Sequence, residues 1–119
     1  SNGYAYRSLA TPHTISTLLS LSQGGKTPHF SMRATNEAWG LVSVSNDDGS
    51  VVSAPFDNEI FQVATDGSGN VRRLAHHRSV FNDYYDAPFA NISQDGRFVA
   101  FSSNWGSASG RRDVFVVKL

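Results

Sequence analysis

The chain repeats one order of landmarks in two successive units, and this repeat constrains the fold more than any other feature. Each unit opens on a proline, continues through an apolar run that ends in Asn, and closes on a second apolar run that contains Phe. The matching positions lie 60, 58 and 54 residues apart, at 28 and 88, 46 and 104, and 61 and 115. A period of that length with about four short strands in each unit is typical of a β-propeller, whose blades are four-stranded antiparallel sheets.

Short apolar runs separated by Asp-Gly turns predict strands throughout, and helical patterns are nearly missing. Hairpin turns are predicted after Asp66 and after Asp95, because Asp followed by Gly favours a tight connection between strands. The predicted strands include Tyr4–Leu9, Glu37–Ser45, Glu59–Ala64, Val71–Ala75 and Asp113–Leu119. In the second of these, the inward candidates are Trp39, Leu41 or Val42, and Val44. The segment Thr14–Leu21 is expected to be a strand or irregular, with a helical turn as the alternative, since its Ser and Thr residues disfavour helix interiors.

Three further motifs point to a known repeat. Ser93-Gln94-Asp95-Gly96 precedes an apolar strand, Asp113-Val114-Phe115-Val116 forms a later strand, and Thr65-Asp66-Gly67 with Arg73-Leu74 forms a hairpin. Together the three motifs resemble the TolB-type (WD40-like) β-propeller repeat, over roughly residues 28–119. The resemblance implies an all-β fold of about two antiparallel four-stranded propeller blades, within a larger or an oligomeric propeller.

The repeat also divides the chain. Residues 1–27 are expected to be an N-terminal segment that can supply a strand of a preceding blade, 28–80 the first blade, and 81–119 a second, C-terminal and incomplete blade. Asn36-Glu37 stands where the family has its Asp-Gly turn, so the first unit is the more divergent one. Because these blades are scaffold, the resemblance predicts no specific activity.

Composition excludes several classes of function. Ten basic and ten acidic residues give a formal net charge of zero, which provides no field to attract nucleic acid or an anionic membrane. Cysteine is missing, so disulfides and thiolate metal sites are excluded. No apolar run is long enough for a membrane span. Abundant Ser, Thr, Asn and Gly beside only two lysines favour an extracellular or periplasmic protein.

The most suggestive polar cluster is His76-His77-Arg78, which follows a predicted strand and precedes an aromatic loop. One interpretation is a site for an acidic or sugar-like ligand, in which Arg78 holds an anion and Tyr84 or Tyr85 provides a stacking surface. The other is a connection between blades, in which His and Arg hydrogen-bond neighbouring backbone. Adjacent strand residues point to opposite faces, so His76 and His77 are not expected to share a metal ion.

Two further sets of residues have a predicted role. Trp105 follows an apolar run and precedes a Gly/Ser-rich loop, which predicts an exposed ring able to stack on a glycan, whereas Trp39 is expected in the core. Ser93, Asp95 and Gly96 are interpreted as a structural turn. In that turn Gly96 supplies a positive φ and the two side chains accept N–H groups.

No arrangement of residues predicts catalysis, a metal ion or a cofactor, because the sequence has neither a Gly-x-Ser-x-Gly elbow nor a Gly-rich loop leading into a helix. The sequence therefore predicts a non-enzymatic propeller module that binds protein or glycan partners through its loops and faces. Its open edges would be covered by further blades of the same chain or of a homo-oligomer. One alternative is a fragment of a propeller carbohydrate lyase or hydrolase, with His76 or His77 as base and Arg78 holding a carboxylate. Another is a structural subunit of an extracellular assembly.

Overall fold

A computed structural model describes residues 2–21, 26–46, 54–107 and 110–119 of the chain. Within these ranges the protein is all-β, with antiparallel sheets, no α-helix and a short 3-10 turn at Tyr84–Asp86. The strands are β1 (Asn2–Tyr6), β2 (Ser16–Leu21), β3 (Lys26–Ser31), β4 (Trp39–Asn46), β5 (Glu59–Ala64), β6 (Val71–His76), β7 (Asn91–Ile92), β8 (Phe98–Ser103) and β9 (Asp113–Lys118).

The strands form three antiparallel sheets that follow one another along the chain. β1 and β2 make a two-stranded sheet, the N-terminal hairpin; β3 to β6 make the four-stranded central sheet; β7 to β9 make the three-stranded C-terminal sheet. In every sheet each strand pairs with its neighbour in sequence. This meander agrees with the strand order of a propeller blade. Three consecutive sheets do not make a closed ring, so the propeller and its blade boundaries at 28–80 and 81–119 stay predictions.

The central sheet is buried on both faces. Four side chains of β4 and β5 pack against the N-terminal hairpin: Val42, Val44, Phe61 and Val63. On the opposite face Leu41 and Ile60 pack against Ile92, Val99 and Phe101 of the C-terminal sheet. Successive strand residues point to opposite faces, so burial of both faces makes β4 a continuous apolar stretch rather than an alternating one. Leu41 and Val42, which the sequence offered as alternatives for the core, are therefore both fully buried.

Three sequence-based predictions change in detail. Trp39 is only half-buried rather than a core residue, and the guanidinium of Arg72 lies 3.7 Å from the centroid of its ring. β1 ends at Tyr6 instead of Leu9, because a turn follows in which the Thr11 N–H donates to the Ser8 carbonyl at 3.1 Å. Residues 16–21 form a strand, so the helical alternative for that segment is wrong.

The connections between strands gather at the two ends of the stacked sheets. One end, named the loop end, holds residues 54–58, 77–90 and 104–107; the other, named the turn end, holds residues 32–38, 65–70 and 93–97. Hydrogen bonds join the central and C-terminal sheets at both ends. At the loop end the Val80 N–H donates to Oδ1 of Asn104 at 2.9 Å, and at the turn end the Thr35 N–H donates to the Gln94 carbonyl at 2.8 Å.

Candidate functional site

The loop end concentrates backbone strain. Among the described residues, all of the non-glycine residues with a positive φ lie there: Phe56, Asn58, Arg78, Phe89 and Trp105. A left-handed conformation costs an L-residue roughly 1–2 kcal/mol, whereas the turn end places glycines at positive φ. Such strain persists only where surrounding contacts hold it, and it collects at functional sites. The strained residues therefore make the loop end the best candidate for a site in the described part of the chain.

An open pocket of about 310 Å³ lies at the loop end and is lined by Asn58, His76, Arg78 and Ser79. Two of the strained residues thus line the same pocket, Asn58 at φ 55° and Arg78 at φ 61°. Their two segments are joined by the His77 N–H, which donates to the Asn58 carbonyl at 3.1 Å. Sequence reasoning singled out His76 and Arg78 but missed Asn58, for which the only local signal is that Asn tolerates the left-handed region.

His77 does not line the pocket; it is buried behind it. Its Nε2 lies 2.9 Å from the Val44 carbonyl and its Nδ1 accepts a hydrogen bond from the Ser79 N–H at 3.0 Å, which defines a neutral ring protonated on Nε2. Burial lowers the pKa of His77 to about 4, against a smaller opposing effect of the hydrogen bond to Val44. Because both ring nitrogens are engaged, His77 holds the backbone of the loop and cannot serve as the base that the enzymatic alternative requires.

His76 points the other way, into solvent and toward an ion pair. Its Nε2 lies 3.9 Å from Oε1 of Glu59, a carboxylate that is almost fully buried. Arg73 binds Glu59 through two hydrogen bonds, of which the Nε to Oε2 bond is 2.7 Å long. The hydrogen bonds from Arg73 lower the pKa of Glu59, although burial opposes the shift. The two histidines thus lie on opposite sides of the strand end, and the nearest acid already has a basic partner.

Arg78 has no such partner in the described part of the chain. Within the residues that the structure describes, its guanidinium makes no hydrogen bond, ion pair or ring contact, and its side chain is exposed at the rim of the pocket. The backbone beneath it is firmly held, since His77 and Ser79 on either side are buried and hydrogen-bonded. Arg78 therefore presents a free cationic group from a fixed position.

The loop before β7 is held by a buried carboxylate. Oδ2 of Asp86 accepts the backbone N–H groups of Asn82 and Asp83 at 3.0 and 3.1 Å. Its Oδ1 accepts Nδ2 of Asn104 at 3.2 Å and Nε of Arg112 at 2.9 Å. Burial raises the pKa of Asp86, but the N–H groups and Arg112 outweigh it and hold the pKa below its usual value. No sequence motif indicates this network as a whole; its only local signal is the spacing of Asp83 and Asp86, which form a capping box.

The aromatic candidates do not enter the pocket. Tyr84 and Tyr85 are exposed and contact each other, with ring centroids 5.6 Å apart, and Tyr84 also contacts Phe89 at 5.0 Å. Trp105 is 58% exposed, and one side of its ring stacks on Phe115 at 4.9 Å. No ring contact among the described residues joins these side chains to His76 or Arg78. The candidate site of the sequence therefore separates into a polar pocket and two aromatic surfaces at the same end of the protein.

Ser93, Asp95 and Gly96 lie at the turn end, away from that pocket. Gly96 has φ 73°, and Oδ1 of Asp95 accepts the Arg97 N–H at 3.1 Å. The Ser93 hydroxyl accepts the Arg97 and Phe98 N–H groups and donates to Oδ1 of Asp95 at 2.5 Å. The Ser93 hydroxyl and Oδ1 of Asp95 are engaged within the turn, so these side chains serve the geometry of the hairpin between β7 and β8.

The described part of the chain offers neither a cluster of metal ligands nor a long apolar helix. It contains no group of three or more His, Cys, Asp or Glu side chains placed to hold a metal ion. No helix in it has the length and apolar character needed to cross a bilayer. Comparison with family models, curated proteins and solved structures found no match to this chain. The resemblance to TolB-type repeats therefore stays a prediction.

Proposed function

We propose that this chain contributes adjoining blades to a β-propeller-like interaction module, and that it binds a further antiparallel sheet through the exposed face of its C-terminal sheet. The meander of strands in each sheet and the resemblance to TolB-type repeats support the propeller. The composition favours an extracellular or periplasmic setting. The observation that carries the proposal is a difference between corresponding faces of two sheets. The face is covered in the central sheet, whereas its counterpart in the C-terminal sheet is exposed.

Strand register shows which faces of the two sheets correspond. In the central sheet Ser43 lies opposite Ile60 on the face that meets the C-terminal sheet. In the C-terminal sheet Ala100 lies opposite Val116, again between the second and third strands of the sheet. The alternate residues of β8, such as Val99, pack back onto the central sheet, so Ala100 and Val116 face away from it.

The corresponding faces differ in exposure. Ser43 and Ile60 are 1% and 0% exposed because the C-terminal sheet covers them. In the C-terminal sheet the same face, here named the outer face, consists of Phe98, Ala100 and Ser102 on β8 and Val114, Val116 and Lys118 on β9. Val114 is 74% exposed, Val116 63% and Phe98 39%. An exposed face with this apolar centre, of Ala100, Val114 and Val116, is typical of an interaction surface.

The occupant that fits the outer face is another antiparallel sheet with an apolar face, stacked as the C-terminal sheet stacks on the central one. Stacked sheets pack about 10 Å apart through alternate side chains, and β-branched residues suit such a contact. The edge of the C-terminal sheet agrees with this. β5 pairs with β4 and β6, whereas within the described chain β9 pairs only with β8. An open edge beside an exposed apolar face favours association with a further sheet.

Sedimentation velocity of the isolated chain at increasing concentration tests the proposal. In isolation the only sheets available to the outer face belong to other copies, so we expect concentration-dependent association. Val116→Lys should abolish it by placing a charge in the contact, and because Val116 is largely exposed its substitution leaves the fold intact. Leu9→Lys, in the exposed turn between β1 and β2 and outside every strand, is the matched control and should associate as the wild type does.

A wild-type chain that stays monomeric at millimolar concentration contradicts the proposal, as does equal association of the wild type and Val116→Lys. Circular dichroism and urea unfolding of each variant exclude loss of the fold as the cause. The mass of the native particle then distinguishes a ring closed by several copies from one closed within a single chain.

A further inference from the structure

We propose that the loop-end pocket lined by Asn58, His76, Arg78 and Ser79 binds a small carboxylate-bearing molecule, which the Arg78 guanidinium grips. This site is distinct from the outer face of the C-terminal sheet, so its failure would leave the proposed function standing. Three features of the described residues carry the inference: a guanidinium without a partner, a backbone built to present it, and neighbouring acids that already have partners.

The free guanidinium is the first feature. Arg73 and Arg112 in the neighbouring structure both bind carboxylates, Arg73 through two hydrogen bonds to Glu59 and Arg112 through bonds to Asp83 and Asp86. The described residues offer no such group to Arg78. A guanidinium presents a rigid planar fork of donors that matches the two oxygens of a carboxylate, so the group that completes it is a planar anion.

The backbone that carries Arg78 is the second feature. Asn58 and Arg78 both keep non-glycine side chains at positive φ, and the His77 N–H joins them through the Asn58 carbonyl. Buried His77 accepts the Ser79 N–H, and the Ser79 hydroxyl donates to Ser103 Oγ at 3.3 Å. These bonds hold an unfavourable conformation that glycine would adopt without cost. Arg78 thus keeps a long side chain at a position that favours glycine, and its backbone is held in place. A binding group requires such a pre-organised position.

The local charge is the third feature. Glu59 is neutralised by Arg73, and Oδ2 of Asp57 accepts the Ala54 N–H at 3.0 Å. Both acids are almost fully buried, whereas Arg78 is exposed. Of the described residues that line the pocket, only Arg78 carries a permanent charge. The His76 ring and the Asn58 Nδ2 group add hydrogen-bonding groups, since Oδ1 of Asn58 already accepts the Asn46 N–H. A pocket of about 310 Å³ has room for one small ring or a short acid.

Nuclear magnetic resonance titration tests the site at single-residue level. The signals followed are the Arg78 Nε–H and the Ser79 amide, and the probes are glucuronate, glucose as its neutral counterpart, and inorganic phosphate as a tetrahedral anion. We expect saturable shifts with glucuronate and none with glucose. Arg78→Gln should weaken glucuronate binding about tenfold, the effect of losing a charge-assisted hydrogen bond. Arg33→Gln, which removes an exposed arginine outside the pocket, should leave it unchanged.

Arg78→Gly separates binding from folding. Glycine relieves the strain at φ 61°, so the urea midpoint of this variant should not fall, while glucuronate binding is lost. Shifts that rise linearly without saturation overturn the proposal, as does an equal loss of binding in Arg33→Gln. Saturable binding of phosphate without glucuronate overturns the assignment to a carboxylate.

Discussion

Replacing Asp86 with Ala is the sharpest test of what holds the loop end together. The buried carboxylate accepts hydrogen bonds from Asn82, Asp83, Asn104 and Arg112, so its removal leaves their donors without an acceptor. Removing one partner of a buried charge pair costs about 3–5 kcal/mol. Arg112 is 29% exposed and keeps a second bond to Asp83 at 2.9 Å, which places the cost near the lower end, about 3 kcal/mol.

Urea unfolding at pH 7 measures this loss, and thermal unfolding provides a second reading. For a chain of this length about 3 kcal/mol corresponds to a fall in Tm of about 12 °C. Asp113→Ala is the matched control, because Asp113 pairs with Arg111 across solvent, with side chains 49% and 78% exposed. Such a surface pair contributes at most about 1 kcal/mol. If Asp86→Ala costs no more than Asp113→Ala, the network does not hold the loop end and the reasoning is wrong.

The pH dependence of the same variant adds an independent check. The pKa of Asp86 is lower in the folded protein than its usual value, so its stabilising effect is fully present above the unfolded pKa of about 3.9 and is lost as the pH falls through the folded pKa. The difference in unfolding free energy between wild type and Asp86→Ala should therefore be constant from neutral pH down to the unfolded pKa and shrink below it. A difference that shrinks between pH 7 and pH 5 would instead implicate a histidine.

Two further predictions concern His77 and Gly96. The pKa of His77 is about 4 in the folded protein and 6.5 in the unfolded chain. Between these pH values only the unfolded state binds the proton, so the free energy of unfolding falls as the pH drops from 6.5 to about 4. Urea unfolding at several pH values should show that the free energy of unfolding falls by about 3 kcal/mol over this pH range. His77→Gln should remove that pH dependence, and a variant with the same pH dependence as the wild type contradicts a neutral buried ring. Gly96→Ala should cost about 1 kcal/mol because φ is 73° there, and a neutral effect in thermal unfolding would exclude a strained turn.

The strands themselves could be predicted because their signals are local. The Asp-Gly pairs at 66 and 95 lie in the turns at 65–70 and 93–97, and the apolar runs between turns became β4, β5, β6 and β9. A turn depends on the φ that a few neighbouring residues can adopt, and that preference is readable without knowing what packs where. The predicted end of β1 was wrong because it depended on the apolar character of Leu9 alone. Leu9 lies in a turn after the strand, and it is 93% exposed.

The candidate site could be predicted only in part. The opposite orientation of His76 and His77 follows from strand geometry, and the sequence indicated it. Which of them is buried depends on the Val44 carbonyl, 33 residues away, so the sequence could not assign one to the core and the other to the pocket. Asn58 reaches the pocket through a hydrogen bond to the backbone of His77, a contact that no short motif encodes.

The sequence by itself determined most of the strands and the turns between them, since these depend on local backbone preference and on short apolar runs. Only the tertiary structure decided which faces are covered. Ile60 and Val116 are both β-branched strand residues, yet one is fully buried and the other is 63% exposed. The difference lies in whether another sheet is stacked on that side, and stacking is a contact between segments far apart in the chain. The same long-range contacts bury His77 and Asp86 and leave Arg78 without a partner among the described residues, so both proposed sites depend on the packing of sheets rather than on any motif within one.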